Sequence, residues 1–182
     1  MKNAAIALII GIIIGLGAWY FLSDKETADD TPLATASSFD ECVKAGFPVM
    51  ESYPRQCKTP DNKTFVEDIG NELEKNDMIR LDSPRPNALV KSPLLIDGEA
   101  RGTWYFEASF VVTLTDANGK TVARGLAEAQ SEWMTEDFVQ FKSGLSFNTM
   151  PETETGYLIL EKENPSGEAR FDDELKIPVR FK

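Results

Sequence analysis

Residues 98–120 read GEARGTWYFEASFVVTLTDANGK, and this stretch decides the fold. Ala108, Phe110, Val112 and Leu114 alternate with Glu107, Ser109, Val111 and Thr113. Period two marks a strand with one face in a core. Asp116-Ala117-Asn118-Gly119 follows. An Asn-Gly pair tolerates the positive φ angles of a tight hairpin, so the chain is predicted to turn back there. Carried backwards, the same alternation puts Trp104 and Phe106 on the core face and Tyr105 on the other.

Working outward, strand-like runs occupy residues 78–81, 94–98, 106–115, 121–130, 138–147, 157–162 and 175–181. Ser83-Pro84-Arg85-Pro86-Asn87 and Asn164-Pro165-Ser166-Gly167 read as breaks between them. Seven strands in residues 78–182 match an immunoglobulin-like antiparallel β-sandwich in size and strand count. Ile177, Val179 and Phe181 give the last strand one apolar face, and Pro178 suits a sheet edge. Both cysteines lie before this domain, so its core must hold by packing alone.

Residues 4–22 carry no charged side chain. As a helix they span roughly 28 Å, about one hydrocarbon core. Trp19 and Tyr20 sit at the far end, where amphipathic rings prefer the interface. Lys2 lies on the near side, and Asp24, Lys25 and Glu26 on the far side. Residues 1–22 are therefore predicted to be an N-terminal transmembrane helix. The protein is expected to be single-pass, its N-terminus cytoplasmic and its later domains extracytoplasmic. The rival reading is a cleaved signal peptide; the one-lysine basic region and the absence of a small-residue cleavage site speak against it. Ala7, Gly11 and Gly15 form a ridge on which two helices can pair as a homodimer, although glycine is common in membrane helices anyway. Residues 23–38 are polar and read as a flexible linker.

Ser38-Phe39-Asp40-Glu41 fits a capping box, and Gly46 a helix stop, bracketing a short helix over residues 39–45. Cys42 lies on it and Cys57 follows. Outside the cytoplasm two cysteines so placed are expected to pair. Closing such a loop is worth about 3 kcal/mol in the chain-entropy model. Pro60-Asp61-Asn62-Lys63 reads as a turn and residues 64–66 as a short strand. Residues 39–67 thus form a small disulfide-stapled module, joined by a charged spacer, residues 68–77. Its loop, residues 47–56, is either structural or a recognition surface. The cysteine spacing loosely resembles Kazal-type protease inhibitors, which need three disulfides.

Composition narrows the function classes. Formal net charge is −11, which argues against nucleic acid and against anionic lipid headgroups. The absence of histidine removes Ser-His-Asp and Cys-His catalysis and the zinc-protease motif. Two cysteines are too few for a cysteine-rich zinc site.

Several separated motifs carry a family resemblance. They are Ser92-Pro93-Leu94 leading into Gly98-Glu99-Ala100-Arg101-Gly102, then Trp104-Tyr105-Phe106-Glu107-Ala108-Ser109-Phe110. Trp133-Met134-Thr135 with Phe138-Val139, the Asn164–Gly167 turn and Ile177-Pro178-Val179 complete them. Together, over residues 79–181, they resemble the bacterial spore-germination immunoglobulin-like domain. Val111 and Gln140 stand where many members carry proline. Residues 42–65 resemble a cysteine-pair module that precedes this domain in some envelope proteins. The resemblance implies an extracytoplasmic, non-enzymatic accessory domain and supplies no catalytic residue.

Candidate sites are few. Glu99 and Arg101 face the same way on a strand, either to hold an ionic partner or as a surface pair worth at most about 1 kcal/mol. Tyr105 and Trp133, with Trp104, are either an aromatic patch near one end of the sandwich or core residues. Asp116, Asn118 and Asp172-Asp173-Glu174 are oxygen-rich but match no EF-hand loop, so turn chemistry is the expectation. No metal or cofactor is expected. The function expected is that of a membrane-anchored, extracytoplasmic, non-catalytic binding or structural protein of the bacterial cell envelope, contacting an envelope protein or glycan. The alternative is a protease-inhibitor-like or ligand-capture protein acting through the Cys42–Cys57 loop. An envelope enzyme would need converging carboxylates with perturbed pKa values.

Overall fold

A computed structural model describes residues 35–181. Helix α1 spans Phe39–Lys44, where the Ser38 side chain accepts from the Glu41 N–H at 3.2 Å. The capping box is displaced by one residue: the Glu41 carboxylate receives the Ser37 N–H (2.8 Å) and hydroxyl (2.6 Å) rather than the Ser38 amide. Gly46, at φ +79°, ends the helix. Strands β1 (Val49–Met50), β2 (Gln56–Lys58) and β3 (Thr64–Val66) then form a three-stranded antiparallel sheet. A disulfide joins Cys42 on α1 to Cys57 on β2, and both cysteines are wholly buried. The spacer contains a four-residue helix, α2, at Glu72–Lys75.

Seven strands follow in the expected places. They are β4 (Ile79–Ser83), β5 (Leu94–Arg101), β6 (Ser109–Asp116), β7 (Thr121–Ala129), β8 (Phe138–Leu145), β9 (Thr155–Glu161) and β10 (Glu174–Arg180). Their order is β10-β9-β6-β7-β8-β5-β4, every neighbour antiparallel. The two layers of this immunoglobulin-like fold are therefore parts of one hydrogen-bonded sheet, joined where β7 meets β8 through two residue pairs. After β4 the chain runs to the opposite end of the sheet. Val90 donates to the Arg180 carbonyl at 2.8 Å, and Arg180 to Ala88 at 2.9 Å. Leu89 bridges Arg180 in parallel, so the sheet comes close to closing into a barrel.

The mainly β, immunoglobulin-like reading agrees with this architecture; the transmembrane helix joined to it in the predicted fold class does not enter it. Among the described residues no helix is long and apolar enough to cross a membrane. The predicted span at residues 4–22, its Gly11 and Gly15 ridge and most of the linker lie outside the described residues.

Phe110, Val112 and Leu114 are fully buried, as the alternation requires. They meet Leu158 and Leu160 of β9, Leu175 and Ile177 of β10, and Phe141 of β8 in one core. The rings of Tyr105 and Phe141 approach Phe110 edge-on at 5.2 and 5.0 Å. Upstream of Ser109 the alternation fails. Trp104 is buried as expected, but Tyr105 is buried too and Phe106 is 44% exposed. The reason is a reversal hidden at Glu107 and Ala108, whose φ angles are +49° and +61°. Phe106 and Ser109 exchange both backbone hydrogen bonds (3.0 and 3.1 Å). Two central residues with positive φ make this a two-residue hairpin turn of the primed kind. The strand therefore begins at Ser109 and not at Phe106.

The outer edge of β10 is covered. The Asn71 amide takes the place of a strand: Nδ2 donates to the Glu174 carbonyl (2.9 Å) and Oδ1 accepts from the Lys176 N–H (2.8 Å). Gly70 permits the approach, because its φ is +68° and a Cβ there would collide with the Lys176 carbonyl. Covered edges cannot template pairing with another chain.

Left-handed backbone at non-glycine residues costs about 1–2 kcal/mol each. Replacing Glu107→Asn together with Ala108→Gly is therefore expected to raise stability by roughly 1–2 kcal/mol, since Asn-Gly suits such a turn. Urea denaturation checks it: the midpoint should rise with an unchanged slope, and an unchanged midpoint would disprove the turn assignment.

Candidate functional site

The residues singled out from the sequence lie at one end of the sandwich but do not form an aromatic face. Tyr105 is buried, and its hydroxyl donates to the Val139 carbonyl at 2.6 Å. Burial, more than any neighbour, pushes its phenol well above the usual range, with Glu99 adding to the rise and a backbone hydrogen bond opposing it. Tyr105 is thus a core residue and leaves the proposed patch. Trp133 is half-buried against the core. The Trp133 and Thr135 carbonyls lie so close over Gly102 that no Cβ fits there. A shallow depression of about 340 Å³ remains, with Tyr105 in its lining and Trp133 and the exposed Met134 beside it.

Glu99 and Arg101 are occupied differently from each other. Glu99 pairs with Arg80 across the β4–β5 ladder at 2.8 Å. Arg101 lies over the Phe138 ring, 4.3 Å from its centroid, and donates to the Asp77 and Glu136 carbonyls at 3.0 Å each. Arg80 lies 4.0 Å from the same centroid. Two guanidiniums on one phenyl ring form a packed surface array, in which alternation along β5 is joined by pairing to β4 and β8.

The oxygen-rich runs are spent on turns. Asp116 Oδ1 accepts the N–H groups of Asn118 and Lys120, both at 2.9 Å. Asp172 accepts from Asn164 at 2.7 Å, and Asp173 pairs with Lys75 at 2.6 Å. Among the described residues no cluster of three or more His, Cys, Asp or Glu side chains is placed to hold a metal ion.

The feature the sequence hides is the seam that fixes the cysteine module on the sandwich. Glu72 is buried, receives the Tyr53 hydroxyl, and pairs with Arg85 at 2.6 Å. Arg85 also donates to the Tyr53 oxygen (2.8 Å) and the Leu81 carbonyl (2.5 Å). A second group lies nearby: Arg55 grips Glu67 with two nitrogens at 2.8 and 2.6 Å. Asn87 Nδ2 donates to Glu67 at 3.2 Å and to the Asp68 carbonyl at 2.7 Å. Between module and sandwich lies an open cleft of about 630 Å³, lined by Phe39, Val43 and Arg55 on one side and Asn87, Glu154 and Arg180 on the other. A groove at a junction of folded parts, with apolar and polar groups on both walls, is where binding sites tend to form. None of these pairs follows a helical or strand period, so no local signal announces them. The loop of residues 47–56, read as a possible recognition surface, commits Tyr53 and Arg55 to this seam.

Residues 78–169, just over half of the chain, match the model of a family described as the immunoglobulin-like domain of bacterial spore germination. No curated protein and no solved structure matches the chain.

The two seam carboxylates respond oppositely to pH. The Arg55 guanidinium holds Glu67 below the ordinary carboxylate range. Its stabilisation is present above the unfolded pKa and is lost as pH falls through the lowered folded value. Burial raises Glu72 against the opposing pull of Arg85, so its contribution runs the other way. Glu67→Gln is therefore expected to lower Tm at pH 6, with the deficit shrinking below about pH 4, the range in which carboxylates protonate. A deficit independent of pH would show that the ion pair is not its source.

Proposed function

Because the chain belongs to the family of immunoglobulin-like domains of bacterial spore germination, we propose that it is a non-catalytic binding protein of the bacterial envelope, working outside the cytoplasm. The observation that carries this reading is the cleft held open between two fixed parts. The seam of Tyr53, Glu72 and Arg85 orders both walls before any ligand arrives. A preformed site avoids the ordering cost that weakens binding by mobile segments. The partner is an envelope protein or glycan, engaged by hydrogen bonds and apolar contact rather than transformed.

An oxidising compartment is supported by the Cys42–Cys57 disulfide, the only cysteines in the chain being joined and fully buried. The uncharged run of residues 4–22 supports retention at the membrane. The inhibitor-like reading receives less support. A protease-binding loop needs projecting, uncommitted side chains, whereas Tyr53 and Arg55 bond to Glu72 and Glu67.

Two measurements test the proposal. In freshly lysed cells a maleimide should label neither cysteine until the chain is denatured and reduced; free thiols would contradict the extracytoplasmic location. A photo-reactive side chain placed at Val43 in the cleft should give one discrete adduct in intact cells. An adduct only from the same group placed at Met134 would move the binding site to the other end. Adducts from neither position would end the binding reading.

A further inference from the structure

A row of hydrogen bonds joins the two walls of the cleft between module and sandwich. Its hub is Asn87, held in left-handed backbone at φ +62°. The Asn87 N–H donates to the Pro178 carbonyl at 2.7 Å. Its side chain donates to Glu67 at 3.2 Å and to the Asp68 carbonyl at 2.7 Å. Its own carbonyl accepts from Arg180 Nε at 2.8 Å. The row therefore runs Arg55, Glu67, Asn87, Arg180. Asparagine tolerates left-handed backbone better than most residues. A residue whose conformation is fixed by several partners at once is a place where functional geometry is held.

The groups this row leaves over set the chemistry of the cleft. Arg55 is occupied by Glu67, and Arg85 by Glu72. Arg180 is occupied only at Nε, and neither of its Nη groups has a partner among the described residues. The bond at Nε fixes the guanidinium, so its end-on pair of donors is set before a ligand arrives. Two carboxylates line the same cleft, Asp40 on α1 and Glu154 just before β9. Asp40 lies within electrostatic reach of Arg55 without forming an ion pair. Neither carboxylate accepts a hydrogen bond from any described residue, although the Glu154 backbone is held by the Phe181 N–H at 2.8 Å. Phe39, Val43 and Pro86 add apolar surface to the lining.

We propose that the cleft takes an acidic sugar of an envelope glycan, its carboxylate on the Arg180 guanidinium and its hydroxyls on Asp40 and Glu154. A planar carboxylate matches two parallel N–H donors. Sugar hydroxyls donate as well as accept, so they satisfy carboxylates that no protein donor reaches. The C–H face of the ring rests on Phe39 and Val43. A phosphate is disfavoured: it would bring about 1.5 to 2 negative charges into a cleft that already holds Asp40, Glu67 and Glu154. A peptide is disfavoured because its anchoring side chains need buried apolar pockets, and most of this lining is polar. A neutral glycan would leave the preset Arg180 donors unused. This inference rests on the binding-protein reading and selects a glycan over a protein as the partner.

An array of oligosaccharides bearing uronic, ulosonic or lactyl acids, each printed beside its carboxyl-reduced form, tests the proposal on the full chain. Acidic members should be bound. Reducing the carboxylate should weaken binding about tenfold or more, the loss of a charge-assisted pair. Titration with the tightest acidic member should shift the amide signals of Asn87, Thr155 and Arg180 and leave those of Met134 and Thr135 in place. Arg180→Gln should weaken the acidic form by a similar factor and leave the reduced form unchanged. Glu154→Lys separates recognition from mere charge, at a side chain on which no contact of the fold depends. It should weaken binding by removing a hydroxyl acceptor, whereas an unselective anion site would bind more tightly. Equal binding of acidic and reduced forms, displacement by inorganic phosphate at equal concentration, tighter binding by Glu154→Lys, or an array with no bound acidic member would each overturn the proposal. A Val43 photo-adduct with a protein would overturn it while leaving the binding-protein reading intact.

Discussion

Register on β6 is the constraint from which the remaining structure follows. The strand lies between β9 and β7 and is hydrogen-bonded along both edges. Phe110, Val112 and Leu114 project into the core and lose all contact with water. Each such burial is worth about 1.5–3 kcal/mol. A slip of one residue would expose all three and push Ser109, Val111 and Thr113 inward, so the pairing has one acceptable solution. Asp116 locks the far end by accepting two backbone N–H groups within the turn, and Gly119 supplies the positive φ that the turn demands. Once β6 is set, the pairing of β9 on one side and β7 on the other is determined by the same alternation.

The cysteine module obeys a different economy. Residues 39–67 are too few to enclose a core of their own, and such units depend on crosslinks or on docking. Both are present. The disulfide ties helix to sheet, and the seam ties the module to the sandwich. Burying Glu72 beside Arg85 adds little net stability when both partners are present, but losing one would strand a charge away from water. The seam is thus better understood as fixing orientation than as a source of stability, and fixed orientation is what gives the cleft its shape.

Much of the fold was legible because it is written in local periods. All seven strands of the sheet and the helix at Phe39–Lys44 were placed from alternation, turn residues and a serine cap. The disulfide followed from two cysteines and an inferred compartment. The site was far less legible. Tyr105 looked like an outward residue because Glu107-Ala108 carries no turn chemistry, yet these residues take positive φ angles under tertiary pressure. Asn71, acting as a strand in side-chain form, sits in what reads as a charged spacer. The Tyr53–Glu72–Arg85 cluster joins residues separated by 19 and 32 positions with no period between them.

By itself, the sequence determined the seven strands of the larger sheet, the core face of β6, the helix and its cap, and an acidic chain without histidine, but not strands β1 and β2 of the cysteine module. Those properties depend on neighbours a few residues away, whose geometry repeats. Only the tertiary structure decided that the layers are one nearly closed sheet, that β7 and β8 share a ladder of two residue pairs, and that the module is bolted to the sandwich by buried carboxylates. These depend on which distant surfaces can be dehydrated together, and the free energy of that choice resides in no single segment of the chain.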